Sequence, residues 1–372
     1  MKITAVEALH LRLPRVEEIA DGTQDALIIR IRTDAGLVGI GEVSSQSYVC
    51  KAIFEAPRSA ERRHGLAYLL NGQDPLDVEA LWQRLYHHTN RYGRRGAVIH
   101  AISGADLALW DLCGKAAGKP VYELLGDGRR TSMRAYASYL FGSTPQETGE
   151  LARQAVDLGL TAMKFGWGPF GQSLTLDLAH VEAARRSAGN SRDMMVDAGQ
   201  AFRVQGALER ARLLRQFDIG WMEEPLSQDD LRGYEELCAA SPVPIAAGEG
   251  EVTRWGFEDL IGCGLTVLQP DVAICGGLTV AKQVSELARA SHRRCVPHCF
   301  STGINLAASL HWMAALGGED ALVEYCLRPS PLMRKLVRNL PPLVDGYVPV
   351  PQAPGLGIEL DQDIIEKFLV SN

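Results

Sequence analysis

The sequence has no Cys-x-x-Cys pair, although eight cysteines occur among its 372 residues. The spacing of Cys295 and Cys299 matches no common zinc signature. The first residues, "MKITAVEALHLRLP", alternate polar and apolar side chains and contain neither the apolar core nor the small-residue cleavage site of a signal peptide. Scattered thiols and the lack of an export signal favour a reducing compartment, and we expect a cytoplasmic protein.

Long apolar runs and an excess of positive charge are also missing. We find no apolar stretch of the length that a membrane-spanning helix needs. The formal net charge is −7, which argues against a surface for nucleic acid or anionic membranes. Hydrophobic residues make up 46% of the chain, enough for a large core. We therefore expect no nucleic-acid and no membrane partner.

The order of strand and helix patterns changes along the chain. Up to residue 125, a hairpin pattern around Asp34-Ala35-Gly36 precedes helical patterns, which predicts an α+β domain. From 126 to 340, short apolar strands alternate with helices and lack hairpin turns, so the strands should be parallel. Nearly eight such units favour a (β/α)-barrel. A Rossmann fold is the alternative, but no Gly-x-Gly-x-x-Gly follows the first strand. The Pro- and Gly-rich tail, 341–372, should return to the first domain.

Ionisable side chains stand at the predicted ends of successive barrel strands. Their spacing, 22 to 33 residues by subtraction of residue numbers, is about the length of one β/α unit. Strand ends of such a barrel meet at one mouth, where active sites lie. The seven residues predicted to converge there are Lys164, Asp197, Glu223, Glu249, Asp271, His298 and Glu324.

Three of these residues are carboxylates on consecutive strands: Asp197, Glu223 and Glu249. Without a cation they would repel one another, and at least one would become protonated. Oxygen ligands without Cys or His suit a hard ion, most simply one Mg²⁺ per chain. Glu224, next to Glu223 in "WMEEPL", should point to the other side of its strand and either support the metal ligands from behind or take part in an interior ion pair.

Asp271 and His298 follow on the next two strands. A carboxylate bound to one ring nitrogen would orient the imidazole and leave the other nitrogen free to accept a proton. Lys164 lies across the predicted mouth, where a nearby dication would lower its pKa. The simpler role for Lys164 is an ion pair with one of the carboxylates.

With these motifs in order, the chain resembles the mandelate racemase-like subgroup of the enolase superfamily. The resemblance rests on "GADLALWDLCGKAAGKPVYELLG", "VDAGQAF", "WMEEPL", "AAGE", "LQPDVAICGGLT" and "PHCFSTGINLAASLH". It implies an α/β fold, a (β/α)₇β modified TIM barrel with an α+β capping domain. The cap would comprise residues 1–125 and the tail 341–372, and the barrel 126–340.

The resemblance also implies site residues. Asp197, Glu223 and Glu249 would bind the metal, and His298 with Asp271 would form the base. Glu324 matches a position that hydrogen-bonds a substrate carboxylate oxygen. Cap loops near 19–25 and 44–50 should close the mouth. The substrate-binding residues that we predict are Asp21, Gln24, Tyr48 and Trp167.

One departure from the subgroup concerns a second base. Members with two bases carry Lys-x-Lys on the second barrel strand, whereas this chain has Lys164-Phe165-Gly166. The sequence therefore favours a Mg²⁺-dependent acid-sugar dehydratase, a lyase that removes the proton α to a carboxylate and eliminates the β-hydroxyl to give a 2-keto-3-deoxy acid. We further expect a small-molecule carboxylate, an acid sugar, as the substrate, and a homo-oligomer. Bound Mg²⁺ with a Lys or His base is the established chemistry of the superfamily. The alternatives are a racemase or epimerase that uses Lys164, and a catalytically silent sugar-acid-binding protein.

Overall fold

The computed structural model describes residues 1–128, 130–318 and 321–371. The N-terminal part is a three-stranded antiparallel sheet, in the order β1-β2-β3, followed by helices. Its elements are β1 (Ile3–Arg12), β2 (Asp25–Thr33), β3 (Val38–Val43), α1 (Ser47–Glu55), α2 (Leu66–Leu70), α3 (Val78–Gly93), α4 (Ala97–Ala117) and α5 (Tyr122–Leu125). The predicted hairpin is the pair β2 and β3.

Strand β3 lies directly on helix α4 because glycine alternates along the strand. A Cβ atom on Gly39 would come within 2.1 Å of the Ala108 carbonyl oxygen, and one on Gly41 within 2.0 Å of that of Gly104. Successive side chains of a strand point to opposite faces. The close approach of Gly39 and Gly41 to α4 therefore turns Glu42 away from this helix.

The barrel follows as eight parallel strands and seven α-helices of the β/α repeat. Its elements are β4 (Ser132–Leu140), α6 (Pro145–Asp157), β5 (Ala162–Gly166), α7 (Leu174–Ala188), β6 (Asp193–Asp197), α8 (Val204–Leu214), β7 (Ile219–Glu223), α9 (Leu231–Ala240), β8 (Ile245–Ala247), α10 (Thr253–Gly262), β9 (Val267–Leu268), α11 (Gly277–Ala290), β10 (Arg294–Cys295), α12 (Gly303–Leu316) and β11 (Leu322–Cys326). The predicted (β/α)₇β architecture is confirmed.

The strands are paired in the order β10-β9-β8-β7-β6-β5-β4-β11, and each of these pairs is parallel. The pairing of β4 with β11 joins the first barrel strand to the last. Between β10 and β11 the described residues form no ladder, so the seam of the barrel lies there. All strand ends that carry the predicted site face the same mouth.

Three short elements complete the tail: α13 (Pro331–Arg334), β12 (Tyr347–Pro349) and α14 (Gln362–Phe368). Strand β12 pairs antiparallel with β4. Beyond α14 the chain reaches the first strand, where the Val370 N–H donates to the His10 carbonyl at 2.8 Å. The domain boundaries near 125 and 340 stay a prediction.

Helix α4 corrects the expectation that no apolar run is long enough to cross a membrane. With 21 residues it is long and apolar enough to cross a membrane, and it is the single helix in the described part of the chain of which this is true. The most apolar window of the helix is 83% buried inside the protein. Burial of this kind is what a central helix of a folded core shows.

The same helix docks the cap onto the barrel through Asp106. The Asp106 carboxylate accepts hydrogen bonds from the Thr279 N–H at 3.0 Å and the Thr279 hydroxyl at 2.5 Å. Thr279 lies in the first turn of α11, where a carboxylate satisfies free N–H groups and complements the helix dipole. Burial nevertheless raises the pKa of Asp106 to about 7, because these hydrogen bonds offset desolvation only in part.

We expect the stability contributed by Asp106 to depend on pH. Its pKa is higher in the folded protein than the ordinary 3.8, so its contribution is complete below about pH 4 and is lost as the pH rises through about 7. Asp106→Asn removes this titration. The melting temperature of the variant minus that of the wild type should therefore be higher at pH 8 than at pH 5. Any loss of stability that the amide itself causes is the same at both pH values and does not change this comparison. Equal differences at the two pH values would contradict the shift.

Candidate active site

The predicted ionisable residues converge at the C-terminal mouth of the barrel. Asp197 and Glu223 end β6 and β7 and are direct neighbours in the ladder. A cavity of about 400 Å³ opens there. Its lining comprises Ala20, Asp21, Gly22 and Ser44 from the cap, and Ser138, Tyr139, Leu140, Lys164, Gly166, Trp167, Asp197, Glu249, His298, Phe300 and Glu324 from the barrel. The cavity thus lies between the two parts of the chain.

Asp197, Glu223 and Glu249 form a cluster that could hold a metal ion. One oxygen from each lies within 4.8 Å of the others. Burial and the carboxylates of Glu223 and Glu249 raise the pKa of Asp197 well above its usual range. Oε2 of Glu249 is buried and has no hydrogen-bond partner among the residues that the structure describes. Crowded anionic oxygens and an unused acceptor fit a divalent cation with oxygen ligands.

Glu223 is held in place on both of its oxygens. Its Oε1 accepts from the Lys164 ammonium, and its Oε2 accepts from the Trp221 indole N–H at 2.9 Å and the Gln269 amide at 2.5 Å. Trp221 lies two residues earlier on β7, and Gln269 directly follows β9. These donors fix the carboxylate although it is fully buried.

Lys164 forms ion pairs with two carboxylates, as its simpler predicted role required. Besides Glu223, it lies 3.0 Å from Oε1 of Glu324. Burial alone would lower the pKa of Lys164, but Glu223 and Glu324 outweigh burial and raise the pKa well above 10.5. The lowering of this pKa that we expect from a bound dication stays a prediction.

Glu324 is a buried hydrogen-bond acceptor. The Ser138 hydroxyl and the Cys299 N–H both donate to it, each at 2.6 Å. Burial opposes its ionisation, but Lys164, His298 and these hydrogen bonds lower the pKa of Glu324 to about 2. The hydrogen bond from Glu324 to a substrate carboxylate oxygen, which the resemblance implies, stays a prediction.

His298 and Asp271 are paired as an oriented base requires. His298 Nδ1 lies 2.8 Å from Asp271 Oδ2, and the other ring nitrogen, Nε2, lies 3.5 Å from Glu249 Oε2. Burial would lower the pKa of His298, but Glu249, Glu324 and Asp271 together raise it well above 6.5. A base must be neutral to accept a proton, so positive charge beside Glu249 would favour the active form.

Gly166 occupies the place where a second lysine would lie. It is the ladder neighbour of Asp197, and an added Cβ would lie 2.7 Å from both Cβ and Oδ2 of that residue. A larger side chain at 166 therefore requires Asp197 to move. Among the residues that line the cavity, Lys164 and His298 are the two with basic side chains.

Two of the predicted substrate-binding residues lie in the cavity wall, and two do not. Asp21 lines the cavity and accepts from Arg328 Nε at 2.7 Å. Trp167 also lines it, with its ring packed over Gly199. Gln24, in contrast, is buried and exchanges hydrogen bonds with the backbone of Glu17 at 2.7 and 3.0 Å.

Tyr48 is the second residue outside the cavity wall. Its side chain is 55% exposed, and its ring lies edge-on to the His10 ring, 5.0 Å between centroids. Neither Gln24 nor Tyr48 lines the cavity, and their contact with substrate stays a prediction. Gln24 turns inward to the backbone of Glu17, and Tyr48 lies in the first turn of α1.

Glu224 is buried but does not take part in the predicted ion pair. Its carboxylate accepts from the side-chain amides of Gln200 and Gln228, both at 3.1 Å, and no ion pair within the described ranges includes it. Burial and the charge of Glu249 raise its pKa to about 8. Its neutral partners are consistent with a carboxyl that need not be ionised.

Sequence reasoning missed several residues that support the site. Ser138 is the ladder neighbour of Lys164 on the first barrel strand, so the phase of the repeat could have found it. Gln269 and Asn305 do not match the spacing of the strand-end residues, so the repeat could not have predicted them. Asn305 Nδ2 donates to both oxygens of Asp271, at 3.0 and 3.2 Å. A buried Asn in a mainly apolar helix was the available signal.

The family comparison agrees with this geometry. The model described as "Enolase C-terminal domain-like" matches residues 147–364, and "Mandelate racemase / muconate lactonizing enzyme, N-terminal domain" matches residues 5–126. The chain belongs to the enolase superfamily. This confirms the resemblance and the fold class, and it identifies the protein as a member of an enzyme family.

Relatives of this superfamily member match it over nearly its whole length. It is 32% identical to the D-galactarolactone cycloisomerase of Agrobacterium fabrum, with 99% of each chain covered. It is 31% identical to the arabinonate dehydratase of Saccharolobus solfataricus, over 95% of this chain and 93% of that one. The crystal structure of the 3,6-anhydro-D-galactonate cycloisomerase from Zobellia galactanivorans superposes with a TM-score of 0.90 at 30% identity and full coverage of both chains.

Proposed function

We propose that this protein is a Mg²⁺-dependent dehydratase of an acid sugar. The observation that carries the proposal is the arrangement of one oriented base, His298, beside three clustered carboxylates, with glycine at position 166. The dehydratase among the relatives supports the reaction class. The proposed product is a 2-keto-3-deoxy acid.

The chemistry begins at the substrate α-carbon. Asp197, Glu223 and Glu249 would hold the metal, which supplies positive charge against the negative charge that grows on the substrate carboxylate. His298 takes the α-proton on Nε2, and Asp271 holds the ring through Nδ1. The Lys164 ammonium adds positive charge at the same end of the cavity.

Loss of water follows loss of the proton. The proton on His298 returns to the β-hydroxyl, the bond from the β-carbon to oxygen breaks, and water leaves. The resulting enol takes a proton on its β-carbon, loses the proton of its hydroxyl to solvent and becomes the 2-keto acid. One base serves both proton transfers when the α-proton and the β-hydroxyl face His298.

Two alternatives make different demands on the site. Racemisation needs a base on each face of the α-carbon, and Lys164, its candidate, is an ammonium paired with Glu223 and Glu324. A silent sugar-acid-binding protein needs no oriented imidazole.

Cycloisomerisation is a second candidate function because two relatives named as cycloisomerases are 32% and 30% identical. In a ring-opening elimination the leaving oxygen would stay attached to the product.

A substrate panel in D₂O tests the proposal. The wild-type protein with Mg²⁺ is incubated with acid sugars, their lactones and mandelate, and products are followed by NMR and mass spectrometry. We expect a keto acid that has lost the mass of one water. An isomeric keto acid of unchanged mass would favour cycloisomerisation. A C2 epimer without keto acid would reject dehydration and make Lys164 a working second base.

A further inference from the structure

A second buried carboxyl of the cap, Glu42, reaches the barrel from strand β3. Its side chain is fully buried and takes part in no ion pair among the described residues. Its Oε2 accepts from the Thr302 hydroxyl at 2.7 Å and from the Asn305 N–H at 3.0 Å. Thr302 caps α12 by accepting from the Ile304 N–H at 3.1 Å. Glu42 therefore holds the first turn of the helix that follows His298.

Asn305 connects this helix end to the base. Its backbone N–H binds Glu42, while its side-chain amide donates to both Asp271 oxygens. The amide is fixed by two further contacts, to Ser301 Oγ at 3.0 Å and from the Ser309 hydroxyl at 3.3 Å. Asp271 in turn pairs with His298. A continuous hydrogen-bonded path thus leads from a cap strand to the imidazole.

We propose that Glu42 is a positioning residue for the His298–Asp271 base and acts through Asn305. The inference rests on the proposed function, in which His298 moves the α-proton. Glu42 is not among the residues that line the cavity, so it does not touch substrate. Without its acceptor oxygen, the buried Thr302 hydroxyl and Asn305 N–H would lose their partner, and the first turn of α12 would relax. The Asn305 amide would then no longer fix Asp271.

Asp106 provides a matched control within the same cap. It too is a buried carboxyl that binds the first turn of a barrel helix, through Thr279 of α11. None of its hydrogen bonds in the described residues goes to Asp271, His298 or Asn305. A general role in docking the cap predicts similar consequences for both carboxyls. A role in positioning the base predicts a difference.

The kinetic test compares Glu42→Leu, Glu42→Gln and Asp106→Leu, each as the full chain with metal. Second-layer partners of active-site groups typically contribute about 10–100-fold, and we expect Glu42→Leu to lower kcat by that factor with KM and Mg²⁺ affinity unchanged. Glu42→Gln keeps an acceptor oxygen and should retain most of the activity. Asp106→Leu should lower the melting temperature but leave kcat unchanged. Equal kcat losses in the two leucine variants would overturn the proposal.

A double-mutant cycle with Asn305→Ala tests the route. If Glu42 acts through Asn305, the double variant should lose no more activity than the stronger single variant; additive losses would contradict the route. Thr302→Val replaces Glu42→Leu in the cycle if the leucine variant does not fold.

Crystal structures of the Glu42 and Asp106 variants need no substrate. We expect the 2.8 Å contact between His298 and Asp271 to be lost or lengthened only in the Glu42→Leu variant.

This crystallographic comparison separates two kinds of failure. If the wild-type protein turns over no compound of the panel, the proposed function fails, while the His298–Asp271 geometry in the variants still decides the role of Glu42. If the wild-type protein is active but that geometry is unchanged in Glu42→Leu, the positioning role is rejected and the dehydratase proposal stands.

Discussion

Replacing His298 with asparagine is expected to lower kcat by about 10²–10⁴-fold, the usual contribution of a positioned general base. The amide of asparagine fits the space but cannot accept the α-proton. Lys164, the other basic side chain in the cavity wall, is paired with Glu223 and Glu324 and does not replace it. Activity is measured with the substrate that the panel identifies, alongside Mg²⁺ binding and the melting temperature, both of which should stay close to wild type.

His292→Asn is the matched control for this change. His292 is exposed and precedes β10, at the opposite end of the barrel from the mouth. Its backbone φ of 54° is a conformation that asparagine adopts readily, so the variant should be fully active. Asp271→Asn should cost less than His298→Asn because it disturbs only the orientation and tautomer of the ring. A loss below about tenfold in His298→Asn would assign the proton transfer to another group.

Removal of divalent metal is the second change with a large expected effect. We expect EDTA to abolish turnover and Mg²⁺ to restore it, since the α-proton of a carboxylate is too weakly acidic for an imidazole unless positive charge stabilises the anion. The three carboxylates that motivate this expectation are crowded enough to raise the pKa of Asp197. Undiminished activity in EDTA would reject the metal site.

Variants of two glutamates that are close in sequence distinguish metal ligation from a general effect of negative charge. Glu249→Gln should weaken Mg²⁺ binding, measured by calorimetry, because it removes the negative charge of a proposed ligand. Glu251→Gln should leave it unchanged, since Glu251 faces Arg95 at 3.3 Å and accepts from the Val252 N–H. Equal weakening in both variants would show that bulk negative charge and not ligation holds the ion.

The sequence predicted the barrel and its mouth because both depend on periodic features. Strand ends recur with the length of a β/α unit, so the phase of the repeat brought Asp197, Glu223 and His298 together before any contact was known. The His298–Asp271 hydrogen bond followed from their places on adjacent strands. Such features are local or repeat along the chain, and a single sequence contains them.

The remaining features depend on contacts between distant segments. Gln24 turns inward because the backbone of Glu17 offers partners, and Asp21 is fixed by Arg328, far along the chain. The pKa of Lys164 rises because the carboxylates of Glu223 and Glu324, from two other strands, both contact its ammonium. Loop direction and pairwise electrostatics of this kind need three-dimensional positions, so the sequence indicated the residues but not their partners.

The packing of Gly166 against Asp197 also limits how this enzyme could evolve. Superfamily members with two bases have a lysine at the corresponding position, yet any side chain introduced here starts 2.7 Å from the carboxylate arm of Asp197. If Asp197 holds the metal, as we propose, a single Gly166→Lys substitution would displace that carboxylate before the new amine could work. A second base at this position would therefore require a compensating change around Asp197.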